Sequence, residues 1–213
     1  MEDHTYESLD AGFKMRFGTQ KHPYAAFVLP VLQTSNEPFL AIRNTEPFVG
    51  LFSVVGGKVD TGSGTEKGDR LGERARSSRR LEDQGWERPK LTSLREFAEE
   101  IYGSTFAETF PETPLNQSRI ARINDAVTGV SMYVYLATVP EKAFSPSERE
   151  VGEIRALGQI NAAEMNPLTQ VVMRALHDNP AFERLAHLIP PKEELTVIFA
   201  GPKAGTDHYL FTY

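Results

Sequence analysis

The chain has 213 residues, 40% of them hydrophobic and 24% charged, and it contains no cysteine. This length and composition favour one globular domain over residues 1–213 rather than a disordered or fibrous chain. The lack of cysteine excludes disulfides, thiolate metal sites and cysteine nucleophiles. The formal net charge of -6 gives no general attraction to nucleic acid or to an anionic membrane, so neither is expected as a partner. Because no leader or membrane span is apparent, the expected location is the cytoplasm.

The first third of the chain predicts three strands and a loop. Ala25–Thr34 and Pro38–Arg43 are apolar runs joined by a polar turn, and Leu51–Val55 is a third run that ends at Gly56-Gly57. Two adjacent glycines at a strand end indicate a tight turn or the close approach of another group. The following residues, at about 61–90, are rich in glycine, serine and alternating charge, which predicts a flexible insertion.

The rest of the chain predicts one informative helix, followed by strands and closing helices. The helix covers Thr92–Tyr102 and stops at Gly103. The later elements are strands Ser118–Asp125, Val130–Val139 and Glu153–Leu157, helices Pro167–Leu176 and Pro180–Leu188, and strands Leu195–Ala200 and His208–Thr212. This order predicts a mixed α/β (α+β) domain, with C-terminal helices and strands at about 162–213.

The predicted helix has an apolar stripe and an acidic side. At about 100° per residue, one narrow arc holds Leu94, Phe97, Ala98 and Ile101, and the opposite side holds Glu96, Glu99 and Glu100. Three carboxylates at this spacing repel one another unless a cation lies between them. Hard divalent ions such as Mg²⁺ or Mn²⁺ prefer oxygen ligands of this kind. An acidic helix face is more often a solvated surface, so the interpretation of these glutamates as metal ligands depends on other features of the chain.

Two features near the carboxylates favour a metal site. Arg95 can hold one carboxylate in position. The glycine turn at Gly56-Gly57 can present a bare carbonyl oxygen to an ion held by the helix. Strand, glycine turn, loop and acidic helix together predict a metal site.

These residues resemble the motif of the Nudix hydrolase family. That motif is a glycine, five residues, Glu, seven residues, and then Arg-Glu-apolar-x-Glu-Glu-x-Gly-apolar. Arg95-Glu96-Phe97-Ala98-Glu99-Glu100 matches its second half, and Gly56-Gly57-Lys58-Val59-Asp60 resembles its opening. Gly57 and Arg95 are 38 positions apart (95 − 57) where the family has fourteen, which implies an insertion of about 24 residues inside the motif. The isolated Glu of the motif has two candidates, Glu66 and Glu87, and the terminal glycine is displaced by one position, to Gly103.

The resemblance implies a Nudix-type α/β/α sandwich with a mixed β-sheet and a Mg²⁺-dependent (or Mn²⁺-dependent) pyrophosphohydrolase. Glu96, Glu99 and Glu100 would bind the metal together with a carbonyl of Gly56 or Gly57, and water activated by the metal would attack phosphorus. The candidates for the base are Glu99 on the helix and acids of a later loop, Glu148, Glu150 and Glu153, of which Glu150 and Glu153 are preferred. Arg95 joins the catalytic candidates as the residue that holds a carboxylate.

The expected substrate is a nucleotide-type small molecule, a nucleoside diphosphate linked to another group. Arg43 is a candidate for contact with a phosphate, Phe48 or Phe52 for stacking on a base, and Tyr133 or Tyr135 for the other wall of the cleft. Each of these residues also fits a core or surface role. ADP-ribose, a damaged nucleoside triphosphate, a dinucleoside polyphosphate and coenzyme A all present a suitable diphosphate, and the sequence does not choose among them.

The same residues allow functions other than hydrolysis. A non-catalytic Nudix-like module, which senses a nucleotide or contacts a protein, is the alternative, although such relatives typically lose carboxylates that this chain keeps. The isoprenoid isomerase branch of the fold would call for a catalytic cysteine, which the chain lacks. The late strands Leu195–Ala200 and His208–Thr212 offer an edge for a homodimer.

Overall fold

The computed structural model of the protein describes residues 24–45, 48–59, 89–110, 117–125, 131–146, 149–195 and 209–212. The strands are β1 (Tyr24–Leu32), β2 (Phe39–Arg43), β3 (Phe52–Ser53), β4 (Val55–Lys58), β5 (Gln117–Asp125), β6 (Ser131–Val139), β7 (Val151–Ala156) and β8 (Tyr209–Thr212). The helices are α1 (Pro89–Tyr102), α2 (Phe106–Thr109) and α3 (Pro167–Asp178). Short 3-10 helices cover Leu157–Gln159, Ala162–Glu164, Pro180–Leu188 and Lys192–Glu194.

The strands form two sheets. Five strands lie in the order β4-β1-β6-β5-β8, and three lie in the order β3-β2-β7. In the larger sheet β1 and β6 are parallel, from Tyr24 opposite Ser131 to Leu32 opposite Val139, whereas the other neighbours are antiparallel. The smaller sheet is antiparallel. The larger sheet is therefore mixed, as predicted.

Helices α1 and α3 cover opposite faces of the larger sheet. Successive side chains of a strand point to opposite faces, and β1 contributes to two separate cores in this way. One core contains Phe27 and Leu29 together with Val172 of α3, and the other contains Val28 together with Phe97 of α1. The α/β/α sandwich predicted from the sequence is confirmed.

Helix α1 has the predicted apolar stripe and the predicted end. Its buried residues include Leu94, Phe97, Ala98 and Ile101. Gly103 follows the helix with a φ of 58°, a left-handed conformation that glycine adopts without strain. The helix begins at Pro89 rather than at Thr92, because proline is tolerated in the first turn, where its missing N–H has no partner to lose. Pro89 and Lys90 therefore belong to the helix and not to the insertion predicted over residues 61–90.

The run predicted as one strand, Leu51–Val55, contains parts of two strands in different sheets. Strand β3 pairs with β2, whereas β4 pairs with β1. Gly56 and Gly57 lie inside β4, opposite Phe27 and Ala26, and not after a strand end. The predicted glycine turn is wrong, whereas the alternative, the close approach of another group, is found: β1 approaches Gly56, and Glu96 approaches Gly57.

Other elements differ less from the predictions. Pro180–Leu188 is a 3-10 helix rather than an α-helix, and the one-turn helix Phe106–Thr109 was not predicted although Thr105 and Glu108 form a capping box around it. Of the strand predicted over Leu195–Ala200, all but Leu195 lies outside the described residues, as does the loop over 61–88. Within the described part of the chain, no helix combines the length and apolar character that crossing a membrane requires.

Candidate metal and catalytic site

The acidic side of α1 meets β4 at Gly57. A Cβ atom on Gly57 would lie 2.7 Å from Oε2 and 2.8 Å from Cδ of Glu96. Glycine at this position therefore leaves the space that the carboxylate fills, next to the backbone of β4. The two halves of the sequence motif, which are 38 positions apart in the chain (95 − 57), are brought together in the fold.

Arg95 links two of the three glutamates predicted to bind a metal. Its Nη1 atom lies 2.8 Å from Oε1 of Glu96 and 3.1 Å from Oε2 of Glu99. The Glu99 side chain is 52% exposed, so it is the carboxylate of this group that faces solvent. Charge-assisted bonds of this kind fix the two carboxylates relative to each other, as expected of Arg95 from its place beside them.

Glu100 lies in a different environment, against Arg43 at the end of β2. The two side chains are 5% and 7% exposed, and Nη1 of Arg43 lies 3.8 Å from Oε2 of Glu100. Arg43 also donates from Nη2 to the hydroxyl of Thr45 at 3.3 Å, whereas its buried Nε has no hydrogen-bond partner in the structure as described. A buried carboxylate needs an opposite charge nearby, and Arg43, predicted as a phosphate ligand, supplies it here.

The three carboxylates do not converge in the arrangement observed. Among the residues described, no three acidic, histidine or cysteine side chains form a group that could hold a metal ion. Arg95 holds Glu96 and Glu99, and Arg43 faces Glu100. The donors are nevertheless all oxygens, and the space above Gly57 admits a carboxylate against the backbone, so the chemistry of the site fits Mg²⁺ or Mn²⁺. Turning of the glutamate side chains would be needed to bring them to one ion.

The later acids are placed differently from one another. Glu150 is exposed, and its carbonyl oxygen accepts a hydrogen bond from the N–H of Asn44 at 2.9 Å, so its turn adjoins the end of β2 that carries Arg43. Glu153 lies on β7 and accepts a bond from Nε of Arg155 at 2.8 Å, which lowers the pKa of the Glu153 carboxyl. A lowered pKa makes Glu153 a weaker base, and Glu150 is the acid whose turn adjoins Arg43. Glu148 lies outside the described residues.

The two phenylalanines predicted to stack on a base lie in the core. Phe48 and Phe52 are both buried in the core cluster that contains α3. This cluster lies on the side of the larger sheet away from α1. The guanidinium of Arg155 lies over the Phe52 ring, with its Cζ 4.6 Å from the ring centroid. The expected stacking role does not fit this placement, because a ring enclosed by core side chains cannot receive a base.

Tyr133, by contrast, lies on the α1 face of the larger sheet. The pairing of β4, β1, β6 and β5 sets Gly57, Ala26, Tyr133 and Arg122 side by side in one row across the sheet. Residues opposite each other in a ladder point to the same face, so Tyr133 and Arg122 share the face that Glu96 covers at the other end of the row. Arg122 was not among the predicted site residues. The sequence did contain a signal for it: Arg122 lies in a predicted strand, and the next predicted strand alternates tyrosine with apolar residues.

Of three comparisons with known proteins, only the one with solved structures returns matches. No protein-family model matches the chain, and no curated protein matches it. Among solved structures, a Nudix hydrolase from Nitrosomonas europaea has a TM-score of 0.42 and 17% identity, over 76% of this chain and 77% of that one. The Nudix domain of Shewanella oneidensis NrtR, complexed with ADP-ribose, has a TM-score of 0.39 and 16% identity, over 64% and 73%. A MutT protein from Methanosarcina mazei has a TM-score of 0.37 and 18% identity, over 77% and 90%. The first two structures are Nudix proteins, the family that Arg95–Glu100 resembles.

Proposed function

We propose that the protein is a Nudix-type hydrolase that cleaves the diphosphate bond of a nucleoside diphosphate linked to another group. The observation that carries the proposal is the contact between Gly57 and Glu96. A carboxylate against a strand backbone, with a second carboxylate and an arginine beside it, supports a site for a divalent ion and a diphosphate. Glu96, Glu99, Glu100 and a carbonyl of Gly56 or Gly57 would hold Mg²⁺ or Mn²⁺. Such an ion, when bound, neutralises phosphate charge and lowers the pKa of a water molecule.

The protein's own residues have separate tasks in this proposal. Arg95 positions Glu96 and Glu99 through one guanidinium nitrogen. Glu99 is the most exposed of the three glutamates, which supports it as the group that takes a proton from the attacking water. Glu150, in the turn beside Arg43, is the second candidate for that proton. Arg43 compensates the buried charge of Glu100.

The test is a hydrolysis assay with matched glutamine variants. The intact protein is incubated with Mg²⁺ or Mn²⁺ and a panel of nucleoside diphosphate compounds, and the released products are identified. We expect Glu96→Gln and Glu99→Gln each to lose activity by roughly 100-fold or more. Glu183→Gln, which changes an exposed acid in the 3-10 helix Pro180–Leu188, should not change the rate. Equal loss in all three variants, or no metal-dependent cleavage of any compound, would contradict the proposal.

Each of the three glutamates proposed as metal ligands faces an arginine, and this observation favours one alternative function. A module in which Arg95 and Arg43 permanently neutralise the glutamates would bind a nucleotide without cleaving it. Calorimetric titration with the same compounds separates the two functions. Binding without turnover in the presence of either metal would support the module.

A homodimer remains a prediction. Strand β8 lies at the end of the order in the larger sheet and offers an edge to a second copy. Light scattering measures the mass in solution, and a monomeric mass would contradict the prediction.

A further inference from the structure

Beyond α1, the same face of the larger sheet carries two arginines and two tyrosines. Arg122 lies opposite Tyr133, and Arg119 lies opposite Tyr135, in the antiparallel pairing of β5 with β6. Cζ of Arg122 is 5.4 Å from the centroid of the Tyr133 ring. We call these four residues the distal patch.

A β-bulge puts both arginines on this face. Residues three apart in a regular strand point to opposite faces, so Arg119 and Arg122 would be separated without a shift in the ladder. The register shifts between Arg119 and Ala121, and Ile120 and Ala121 are both buried in the core on the α3 side. Bulges of this kind re-aim side chains and are common next to functional sites. The extra residue thus serves to bring two positive charges together.

Three residues of the distal patch, Arg122, Tyr133 and Tyr135, have hydrogen-bond donors without a partner among the described residues. Arg122 donates from Nη2 to the hydroxyl of Ser131 at 3.1 Å, whereas its Nε has no partner within the described part of the chain. The hydroxyls of Tyr133 and Tyr135 likewise make no hydrogen bond to a described residue. A guanidinium has five N–H donors, so most of the donors of Arg122 are uncommitted.

The charges around the two tyrosines are positive. Burial raises the pKa of both hydroxyls. The cations that act against this rise are Arg122 and Arg119 for Tyr133 and Arg119 for Tyr135, whereas Tyr24 adds to the rise at Tyr133 and Tyr133 adds to it at Tyr135. A site with two guanidinium groups and two neutral phenol donors is complementary to an anion.

The distal patch and the proposed catalytic site lie on the same face of the larger sheet, in one row of paired residues. From Gly57, which Glu96 contacts, the row runs through Ala26 and Tyr133 to Arg122. Three strand spacings separate the ends of this row, which amounts to about 14 Å. That is longer than a diphosphate, so a substrate whose diphosphate lay at Glu96 would reach the distal patch with the group attached to it.

We propose that Arg119, Arg122, Tyr133 and Tyr135 bind a phosphate monoester carried by the nucleoside part of the substrate. This inference rests on the proposed function and narrows its substrate class to nucleoside diphosphates with an additional phosphate on the ribose. Arginine binds a phosphate through two parallel N–H bonds, and the tyrosine hydroxyls donate to its remaining oxygens. Arg122 has to turn to present its Nε, which is covered in the present arrangement.

The test uses a pair of compounds that differ by one ribose phosphate, coenzyme A and dephospho-coenzyme A. Binding of each to the full chain is measured by calorimetric titration, and kcat/KM is measured with Mg²⁺. We expect the phosphorylated compound to bind roughly tenfold more tightly or better, as one charge-assisted contact would give. Arg122→Gln and Tyr133→Phe should reduce this preference, and Tyr133→Phe keeps the ring that packs on the sheet. Arg184→Gln, an exposed arginine in Pro180–Leu188, is the matched control and should retain it.

The outcomes separate this inference from the proposed function. Equal binding of the two compounds, no binding of either, or a preference that survives both patch variants would overturn the inference. Cleavage of both compounds at equal kcat/KM would do so while leaving the hydrolase proposal intact. A preference in binding without any cleavage would support the distal patch and count against the hydrolase. NADPH and NADH also differ by one ribose phosphate, on the 2′ rather than the 3′ oxygen, and show whether the preference follows the phosphate rather than coenzyme A itself.

Discussion

Gly57 and Glu96 are in contact across the join between β4 and α1: a Cβ atom on Gly57 would lie 2.7 Å from a carboxylate oxygen of Glu96. The neighbouring Gly56 has a different constraint. A Cβ atom there would collide with the carbonyl oxygen of Ala26 and lie 2.7 Å from Cα of Phe27, and its φ is 151°. One glycine makes room for a movable side chain, and the other makes room for backbone.

We therefore expect the two Gly→Ala substitutions to have different effects. Gly57→Ala should leave the free energy of unfolding within about 1 kcal/mol, because the Glu96 carboxylate can move away, and should weaken Mn²⁺ binding by roughly tenfold. Gly56→Ala should lower the free energy of unfolding by about 3 kcal/mol, because backbone cannot yield in the same way. Denaturant unfolding and Mn²⁺ titration followed by electron paramagnetic resonance measure the two quantities. Weaker Mn²⁺ binding in a folded Gly56→Ala variant alone would contradict this assignment.

The ion pair of Arg43 with Glu100 predicts that a second substitution, at Glu100, restores stability lost by a substitution at Arg43. Arg43→Met removes the guanidinium that faces the buried Glu100 carboxylate and should destabilise the protein by about 3 kcal/mol. The double variant with Glu100→Gln removes the uncompensated charge, and we expect it to recover most of that loss. Urea unfolding of the wild type, both single variants and the double variant gives the coupling energy. Additive effects of the two changes would show that the pair does not interact.

Tyr102 predicts a pH dependence of stability. Its hydroxyl donates to the carbonyl of Pro140, and burial raises its pKa from 10.0 to about 12. Because the pKa of Tyr102 is higher in the folded than in the unfolded protein, its contribution to stability is fully present below the unfolded-state pKa. This contribution is lost as the pH rises from the unfolded-state pKa to the folded-state pKa. At about pH 8, Tyr102→Phe should cost about 1 kcal/mol for the lost hydrogen bond.

At about pH 11, the wild type should lose about 1 kcal/mol that the Tyr102→Phe variant does not lose, so the difference between them should nearly disappear. Unfolding by urea at both pH values measures it. Tyr24→Phe, at the start of β1, tests whether another tyrosine gives the same change. A difference that is the same at both pH values would contradict the assigned pKa.

Two asparagines that precede helices, Asn166 before α3 and Asn161 before the 3-10 helix Ala162–Glu164, should contribute unequally to the free energy of unfolding. Asn166 accepts a hydrogen bond from the N–H of Thr169 at 2.7 Å and donates to the hydroxyl of Ser53 at 2.9 Å, in a buried position. Asn166→Ala should lower the free energy of unfolding by about 2 kcal/mol, because it removes the cap and the link to β3 together. Asn161→Ala, at the exposed start of Ala162–Glu164, should cost about 0.5 kcal/mol. Thermal unfolding of both variants provides the comparison, and equal costs would contradict it.

Local periodicity explains why several elements could be predicted. The repeat of Leu94, Phe97 and Ile101 predicts which side of α1 is buried, and the structure buries that side. The helical spacing also puts Glu96, Glu99 and Glu100 on one side of α1, although it does not predict that Glu100 is buried against Arg43. Proline and asparagine at the start of α3 likewise mark its first turn.

Non-local pairing explains what could not be predicted. The division of Leu51–Val55 between two sheets depends on which strands lie beside it, and the burial of Phe48 and Phe52 depends on the position of α3. The match of Arg43 with Glu100 joins β2 to α1 across the chain. The shift at Arg119 appears only when β5 is paired with β6.

The sequence by itself determined the helix with its acidic side, most of the strands, and the resemblance of Arg95–Glu100 to the Nudix motif, because these follow from the spacing of neighbouring residues. Only the tertiary structure decided that Glu96 rests on Gly57, that Glu100 is held by Arg43, and that Arg122 and Tyr133 share the face of α1. Those relationships join segments that are distant in the chain. They depend on strand register and on the packing of helices against the sheet, which no local pattern specifies.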